Sequence, residues 1–342
     1  VIGGMLEAGL GIVYRRSLTA LATLLVVSIL IFVVLRLLPA DPLAMSVPPN
    51  ATQQEVAQMR HEMGFDQPIP AQYAIWFGRV VRGDLGTSIQ FRRSVSDLIL
   101  TALPTTLELV LVGLLLGILL GLACGLLMFS WRGSAKEHVA DLGSVVVMSI
   151  PEFLWAILLI LGFGVGLRFL PFIGRLDSQI TVPRLTGFLL VDTLWAGDVR
   201  AFSSAVEHLV LPAVSLALGI TPLIMRVLRS SLFDTYAEEY ITLARLRGLS
   251  ERRILLFHAL KNAALPTISL IGVQAGFMFG GTLLVEVIFT LPGIGNLMVQ
   301  ALRNQDLPLI QGIALVYCLI VLVLNAVVEA AYLGLNPKLA RA

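Results

Sequence analysis

The chain is poor in charge. Of its 342 residues only 13% are Asp, Glu, Lys or Arg, while 57% are hydrophobic. Soluble globular proteins carry about 25% charged residues, so half that density calls for an apolar solvent around the chain. Lysine is scarcer still, confined to Lys136, Lys261 and Lys338. None of the three follows a glycine or precedes Ser or Thr, which excludes a P-loop. A net charge of +2 gives no reason to expect a nucleic-acid partner. Cysteine is limited to Cys124 and Cys318. Both sit inside long apolar runs and read as small packing residues, with no disulfide framework or zinc site predicted. His61-Glu62 lacks the second histidine of a zinc-protease helix, and no Gly-x-Ser-x-Gly elbow occurs. Low-complexity segments and convincing internal repeats are missing too.

What the chain does have is long apolar runs. A hydrocarbon core about 30 Å thick needs roughly 20 apolar residues per helical span. Six runs meet that test, over 18–38, 106–129, 142–170, 209–228, 267–289 and 309–335. Each is bounded by Pro, Gly or charged residues. The first is too long, and too poor in small-residue cleavage signals, for a removed secretory peptide, and reads as an anchored helix. Pro151 falls inside the third run, where it removes a helical hydrogen bond and predicts a bend. Basic residues in short loops stay cytoplasmic. Arg15 and Arg16, Arg132 and Lys136, the cluster from Arg226 to Lys261, and Lys338 with Arg341 all fall on one side if both termini are cytoplasmic. The expected organisation is an N-terminal segment and first span (1–38), an external region (39–104), a core of five spans (105–335) and a cytoplasmic tail (336–342). Within 39–104 a polar helix is expected over 50–64 and a turn at 83–86. Two further external segments, 171–207 and 290–308, complete the topology.

Several charges lie within or beside the apolar runs. A charge at the bilayer centre costs about 2.5 kcal/mol or more, so it usually faces a cavity or a partner. Arg36, Arg168 and Glu329 lie near interfaces and can snorkel. Glu108, Glu152 and Glu286 are the candidates for a pathway wall. For Glu108 and Glu286 a structural polar network is an equally good reading.

The stretch 234–266 is unlike an ordinary loop. Asp234, Glu238 and Glu239 are acidic near an expected helix start, where the macrodipole favours them. Tyr240 and Ala244 share a face. Gly248 stands where a helix would close in a left-handed cap, and Ser250 is placed to cap the next helix. A short helix, a sharp turn and a second helix ending at Pro266 are predicted. Such an element is either a solvated connector or a docking element for a partner, and both readings stay open on physical grounds.

The same stretch resembles the EAA loop of ABC importer permeases in its peptide-permease form: Tyr240-x3-Ala244-Arg245-x2-Gly248-Leu249-Ser250, then His258-Ala259-Leu260-x-Asn262-Ala263-x-Leu265-Pro266. Thr242-Leu243 stand where the first letters of Glu-Ala-Ala would fall, and the spacing from Gly248 to Pro266 exceeds that of sugar permeases. Both departures are usual for the peptide class. Further resemblances run in order along the chain: Leu37-Leu38-Pro39-x-Asp41-Pro42, Gly64-Phe65-Asp66-Gln67-Pro68, Gly83-Asp84-Leu85-Gly86-Thr87-Ser88, Leu103-Pro104-x2-Leu107-Glu108, and Glu286-Val-Ile-Phe289-x2-Pro292-Gly293 followed by Asp306-x-Pro308. The pattern is similar to the first permease (dipeptide permease B-like) of the dipeptide, oligopeptide and nickel importers.

That resemblance implies an all-α, type I importer transmembrane domain of six helices in a bacterial inner membrane, forming half of a translocation pathway. It implies a second homologous permease subunit, two ATPase subunits that bind ATP and Mg, and an external solute-binding protein. This chain itself would need no cofactor. The coupling residues carried over are Tyr240, Ala244, Arg245, Gly248, Leu249 and Ser250. Di- or oligopeptides are the first substrate class, with nickel chelates, glutathione, opines and some oligosaccharides also handled by the class. An ion-coupled carrier is the alternative function, and would need a buried ionisable relay and no docking helix. An intramembrane enzyme is disfavoured by the missing motifs.

Overall fold

The structure is a computed structural model that describes residues 2–37, 52–55, 58 and 66–335. The motif at 39–42, most of the polar helix expected over 50–64, and the tail 336–342 lie outside the described residues. Of that helix's described residues, Thr52 and Glu55 form a reciprocal cap: the Thr52 amide donates to Glu55 Oε2 at 2.7 Å and the Glu55 amide to Thr52 Oγ1 at 3.3 Å.

Among the described residues, regular structure is helical apart from one antiparallel bridge between Thr87 and Ser94. In hydrocarbon every backbone polar group must be satisfied within the segment, and the helix does that. The helices are α1 (Ile2–Leu37), α2 (Ile69–Val81), α3 (Val95–Ser130), α4 (Ala135–Ser149), α5 (Glu152–Gly166, π-wound from Ile160), α6 (Leu189–Trp195), α7 (Val199–Tyr236), α8 (Glu239–Leu246), α9 (Glu251–Ile288, π-wound over Ile254–Ala259), α10 (Ile294–Arg303) and α11 (Leu307–Leu335). Five of these are long and apolar enough to cross a membrane, and α4 with α5 makes a sixth crossing if the pair is one span.

Five expectations need correction. The third span is not a bent helix but a broken one, α4 and α5 meeting at 98°. Pro151 has no N–H, and the carbonyl freed at Val147 accepts from the Trp155 indole at 3.2 Å. Asp234 lies in the last turn of α7 rather than at a helix start. No second short helix ends at Pro266: the proline is inside α9, which runs unbroken into the fifth span. Finally, the Pro/Gly-rich segment 290–308 contains a ten-residue helix, α10, and residues 199–207 belong to the first turns of α7.

Two compact units are distinguishable, one formed by residues 1–104 and 292–322, the other by 105–291 and 323–342. In the first, α2 packs along α1 through aromatic rings, Phe32 meeting Tyr73 edge-on at 5.5 Å and Trp76 at 5.4 Å. The Ser28 and Tyr73 hydroxyls are hydrogen-bonded at 2.8 Å. Its main core joins Val95, Leu98 and Ile99 to Ile294, Leu297, Leu309 and Ile313. Asp306, fully buried, ties the Gly83–Ser88 motif to the Asp306-x-Pro308 motif. Its Oδ2 accepts from the Ser88 hydroxyl at 2.5 Å and the Gln90 amide at 3.1 Å, and its Oδ1 from the Leu309 amide at 3.3 Å.

In the second unit α7 packs against α9, α5 and α4. It also meets α3 along a ladder of glycines. A Cβ added at Gly117 would lie 2.5 Å from Ile220 Cδ1, one at Gly121 2.6 Å from Ile224 Cγ2, and one at Gly125 3.1 Å from Leu228 Cδ2. Glycines spaced by four let two backbones approach closely, which is how membrane helices gain packing contacts where no hydrophobic drive exists.

Candidate coupling and pathway sites

Helix α8 is held by what lies under it. Ile241 and Ala244 are buried in a cluster with Phe129, Leu228, Leu232, Ile254, Ala259 and Ala263. The small residues Ala259 and Ala263 leave room for α8 on the face of α9. Tyr240, half-buried, accepts a hydrogen bond from the Asn262 side chain at 2.8 Å, strapping the two helices together. Arg132 lies over the Phe129 and Tyr236 rings at 4.7 and 5.6 Å, and Arg245 over Tyr236 at 5.4 Å. Glu251 accepts from Arg245 at 2.7 Å, and this hydrogen bond raises the guanidinium above its ordinary pKa.

Gly248 adopts the conformation its sequence position predicts, with φ of +76°. Its amide donates to Arg245 O at 2.9 Å, and the Leu249 amide reaches Ala244 O at 3.3 Å. That pair of bonds is a Schellman closure, with Leu249 packed against the cluster that contains Ala244. A Cβ on Gly248 would meet nothing within 4 Å, so the turn is open on its outer side. Ser250 stands at the N-cap position of α9, but its side chain makes no capping hydrogen bond. Of the six residues carried over by resemblance, Tyr240, Ala244 and Leu249 therefore hold the element, while Arg245, Gly248 and Ser250 are exposed. The exposed face also carries Leu243, Leu246 at 80% exposure, and Phe257 at 72%. Those three were not singled out from sequence. The signal available was the Leu243/Leu246 pair, three apart and offset from the Ile241/Ala244 stripe.

The three acids in the spans sit in different surroundings. Glu108, 7% exposed, accepts from Arg175 at 2.6 Å and from the Leu190 and Leu189 amides at 2.7 and 3.3 Å. It lines a small cavity with Thr105, Arg175, Leu190, His208 and Leu291, and it pins segment 174–198 to α3. Nearby, Asp192 binds that segment to itself, accepting from the Thr186 hydroxyl at 2.7 Å, the Thr186 amide at 2.8 Å and the Gly187 amide at 3.0 Å. Burial alone would push its carboxyl up, but these donors outweigh burial and hold it below the usual carboxylate range. Glu286 is fully buried and accepts from the Thr106 hydroxyl at 2.6 Å. Both Glu108 and Glu286 thus have in-chain hydrogen-bond partners. Glu152 differs: among the described residues it makes no hydrogen bond or ion pair. It is half-buried in the first turn of α5. A Cβ on Gly219 would lie 2.6 Å from its Oε1, and one on Gly281 3.4 Å from its Oε2.

The described residues thus combine long apolar helices, acids within them and an exposed capped turn on a small apolar core, and the family matches define the class as a membrane transport component. Residues 101–341 match the family of binding-protein-dependent transport system inner membrane components, and residues 10–110 match the N-terminal domain that accompanies it. The chain belongs to this family and is a permease subunit of a binding-protein-dependent ABC importer. It is similar to the di/tripeptide transport system permease protein DppB of Pseudomonas aeruginosa, 37% identical over 96% of this chain and 98% of the relative. It is similar too to the dipeptide transport system permease protein DppB of Escherichia coli, at 33% over 96% and 98%. The glutathione transport system permease protein GsiC of Salmonella typhi matches at 32% over 96% and 99%. Its fold resembles that in an inward-facing structure of the MetNI methionine ABC transporter, with a TM-score of 0.54, 15% identity, and coverage of 70% of this chain and 96% of that one. The type I importer architecture follows, and family membership sets aside the ion-coupled carrier and the enzyme.

Proposed function

We propose that this chain is one of two permease subunits of a di- or oligopeptide importer in a bacterial inner membrane, with both termini cytoplasmic. Helix α8, the Gly248 turn and the start of α9 form its docking element for an ATPase subunit, which binds the ATP and Mg. A solute-binding protein delivers substrate at the opposite end of the bundle. Support for the substrate class comes from the names of the DppB relatives.

The observation that carries the docking reading is the open Gly248 turn. It combines a left-handed backbone, a packed underside and an exposed apolar and basic outer face. A solvated connector needs none of these together. ATP would act by binding the two conformations of the complex with different affinity. Replacing Gly248 with Asp or Val introduces a Cβ in a left-handed conformation, costing about 1–2 kcal/mol, and places bulk where the partner would sit. The spans remain intact. Purified Gly248→Asp or Gly248→Val complexes are expected to hold their ATPase subunits more weakly and to hydrolyse ATP without matching uptake. Normal ATPase association, stimulated hydrolysis and vesicle uptake would make the segment a connector only.

A further inference from the structure

Glu152 is the one acid among the three span candidates with no in-chain hydrogen-bond or ion-pair partner among the described residues. The break that separates α4 from α5 places it in the first turn of α5. There the positive end of the helix dipole favours a negative side chain. On two sides its carboxyl group lies against glycines, Gly219 near the middle of α7 and Gly281 in α9. The neighbouring Gly280 has open space where a Cβ would stand. The carboxylate therefore rests on bare backbone, and the residue is partly exposed. A carboxylate turned to lipid is strongly unfavourable, so this face is not a lipid face, and water, a cation or another subunit stands before it.

Resting on the peptide-importer reading above, we propose that Glu152 faces the aqueous translocation path and is the contact for the amino-terminal ammonium of a passing peptide. An ammonium is the complementary charge. The two glycines make room for the Glu152 side chain itself, and its carboxylate is left without a hydrogen-bonding or charged side chain among the described residues, whereas a permanent partner would be expected to supply one. Contact with a free carboxylate supplies charge-assisted hydrogen bonds without demanding any particular side chain from the peptide, which suits a carrier of varied sequences.

The test uses the complete complex with its solute-binding protein in vesicles. Glu152→Gln is expected to raise the dialanine concentration for half-maximal uptake about tenfold or more, with unchanged yield of the complex, and Glu152→Asp to recover part of the loss. In a Cys124→Ala, Cys318→Ala background, the thiol introduced by Glu152→Cys is expected to react with a membrane-impermeant ammonium-bearing thiol reagent and to be protected by dialanine. Uptake by Glu152→Gln equal to wild type at every peptide concentration overturns the proposal. So does loss of the second permease subunit from the Glu152→Gln complex, which would assign the carboxylate to a subunit contact. If wild-type vesicles take up no peptide, the peptide reading fails instead, and the labelling alone decides: reaction at position 152 supports an aqueous cation site, and no reaction overturns it.

Discussion

The two ends of α7 are stabilised in opposite ways. At the Val199 end, carboxylates are buried and hydrogen-bonded: Glu108 to Arg175 and two amides, Asp192 to the Thr186–Gly187 turn, Glu286 to Thr106. At the Tyr236 end the holding forces are apolar and aromatic, with Arg132 and Arg245 lying over rings and the outer face open. Buried charge pairs tolerate little movement, because separating them leaves a desolvated charge. Apolar contacts and cation–π faces are non-directional by comparison and tolerate sliding. One end is held by directional polar contacts, the other by apolar and aromatic contacts that leave its outer face open.

The largest effect that would separate the two ends is expected at Arg175. Arg175→Ala leaves Glu108 buried with amides alone and should destabilise the complex by about 3 kcal/mol, read as a lower midpoint of thermal denaturation in detergent. An unchanged midpoint would mean that the ion pair is not what fixes segment 174–198. An intermediate effect is expected from pH. The Asp192 carboxyl is held below its unfolded value, so its contribution is complete above the usual carboxylate range and is lost as pH falls through the depressed folded value. Hydrogen exchange of 186–198 should therefore stay slow through mildly acid pH and accelerate below it. Asp192→Asn should remove that dependence without affecting exchange in α8. The smallest effect concerns a second left-handed cap. Thr290 closes α9 at φ of +55°, with its amide on Val287 O and the Leu291 amide on Glu286 O. It is the same closure as at Gly248, made by an exposed β-branched residue. Thr290→Gly should raise the denaturation midpoint by relieving strain of no more than about 1 kcal/mol. A lower midpoint would show that the Thr290 side chain has a packing role.

Much of this was legible in the sequence, for identifiable reasons. Apolar runs of span length have few alternatives to helix, and Gly248 follows a helical period where only a left-handed cap fits. Pro151 marks the position of the break but not its size, since a nearby tryptophan that donates to the freed carbonyl permits a full break. Pro266 misled in the other direction, reading as a boundary where membrane helices tolerate proline. The partners of the acids were not legible. Arg175 is 67 residues from Glu108 and Thr106 is 180 from Glu286, and periodicity says which face a residue is on but not what stands opposite. The same limit applies to the glycine ladder on α3, whose four-residue spacing is visible while its counterparts Ile220, Ile224 and Leu228 are not.

The absence of any loop between the Gly248 turn and the span below it has a mechanical meaning. From Glu251 to Gly281, α9 runs without a loop over roughly 45 Å, taking a rise of about 1.5 Å per residue, with a π-wound turn at Ile254–Ala259 and Pro266 along its length. A displacement at the turn would be carried along this continuous backbone toward Gly281, with the π-wound turn and the proline as the places where it can bend. Glu152 rests on that glycine. A grip applied outside the membrane would thus shift the floor beneath the carboxylate directly, with no relay of side chains in between.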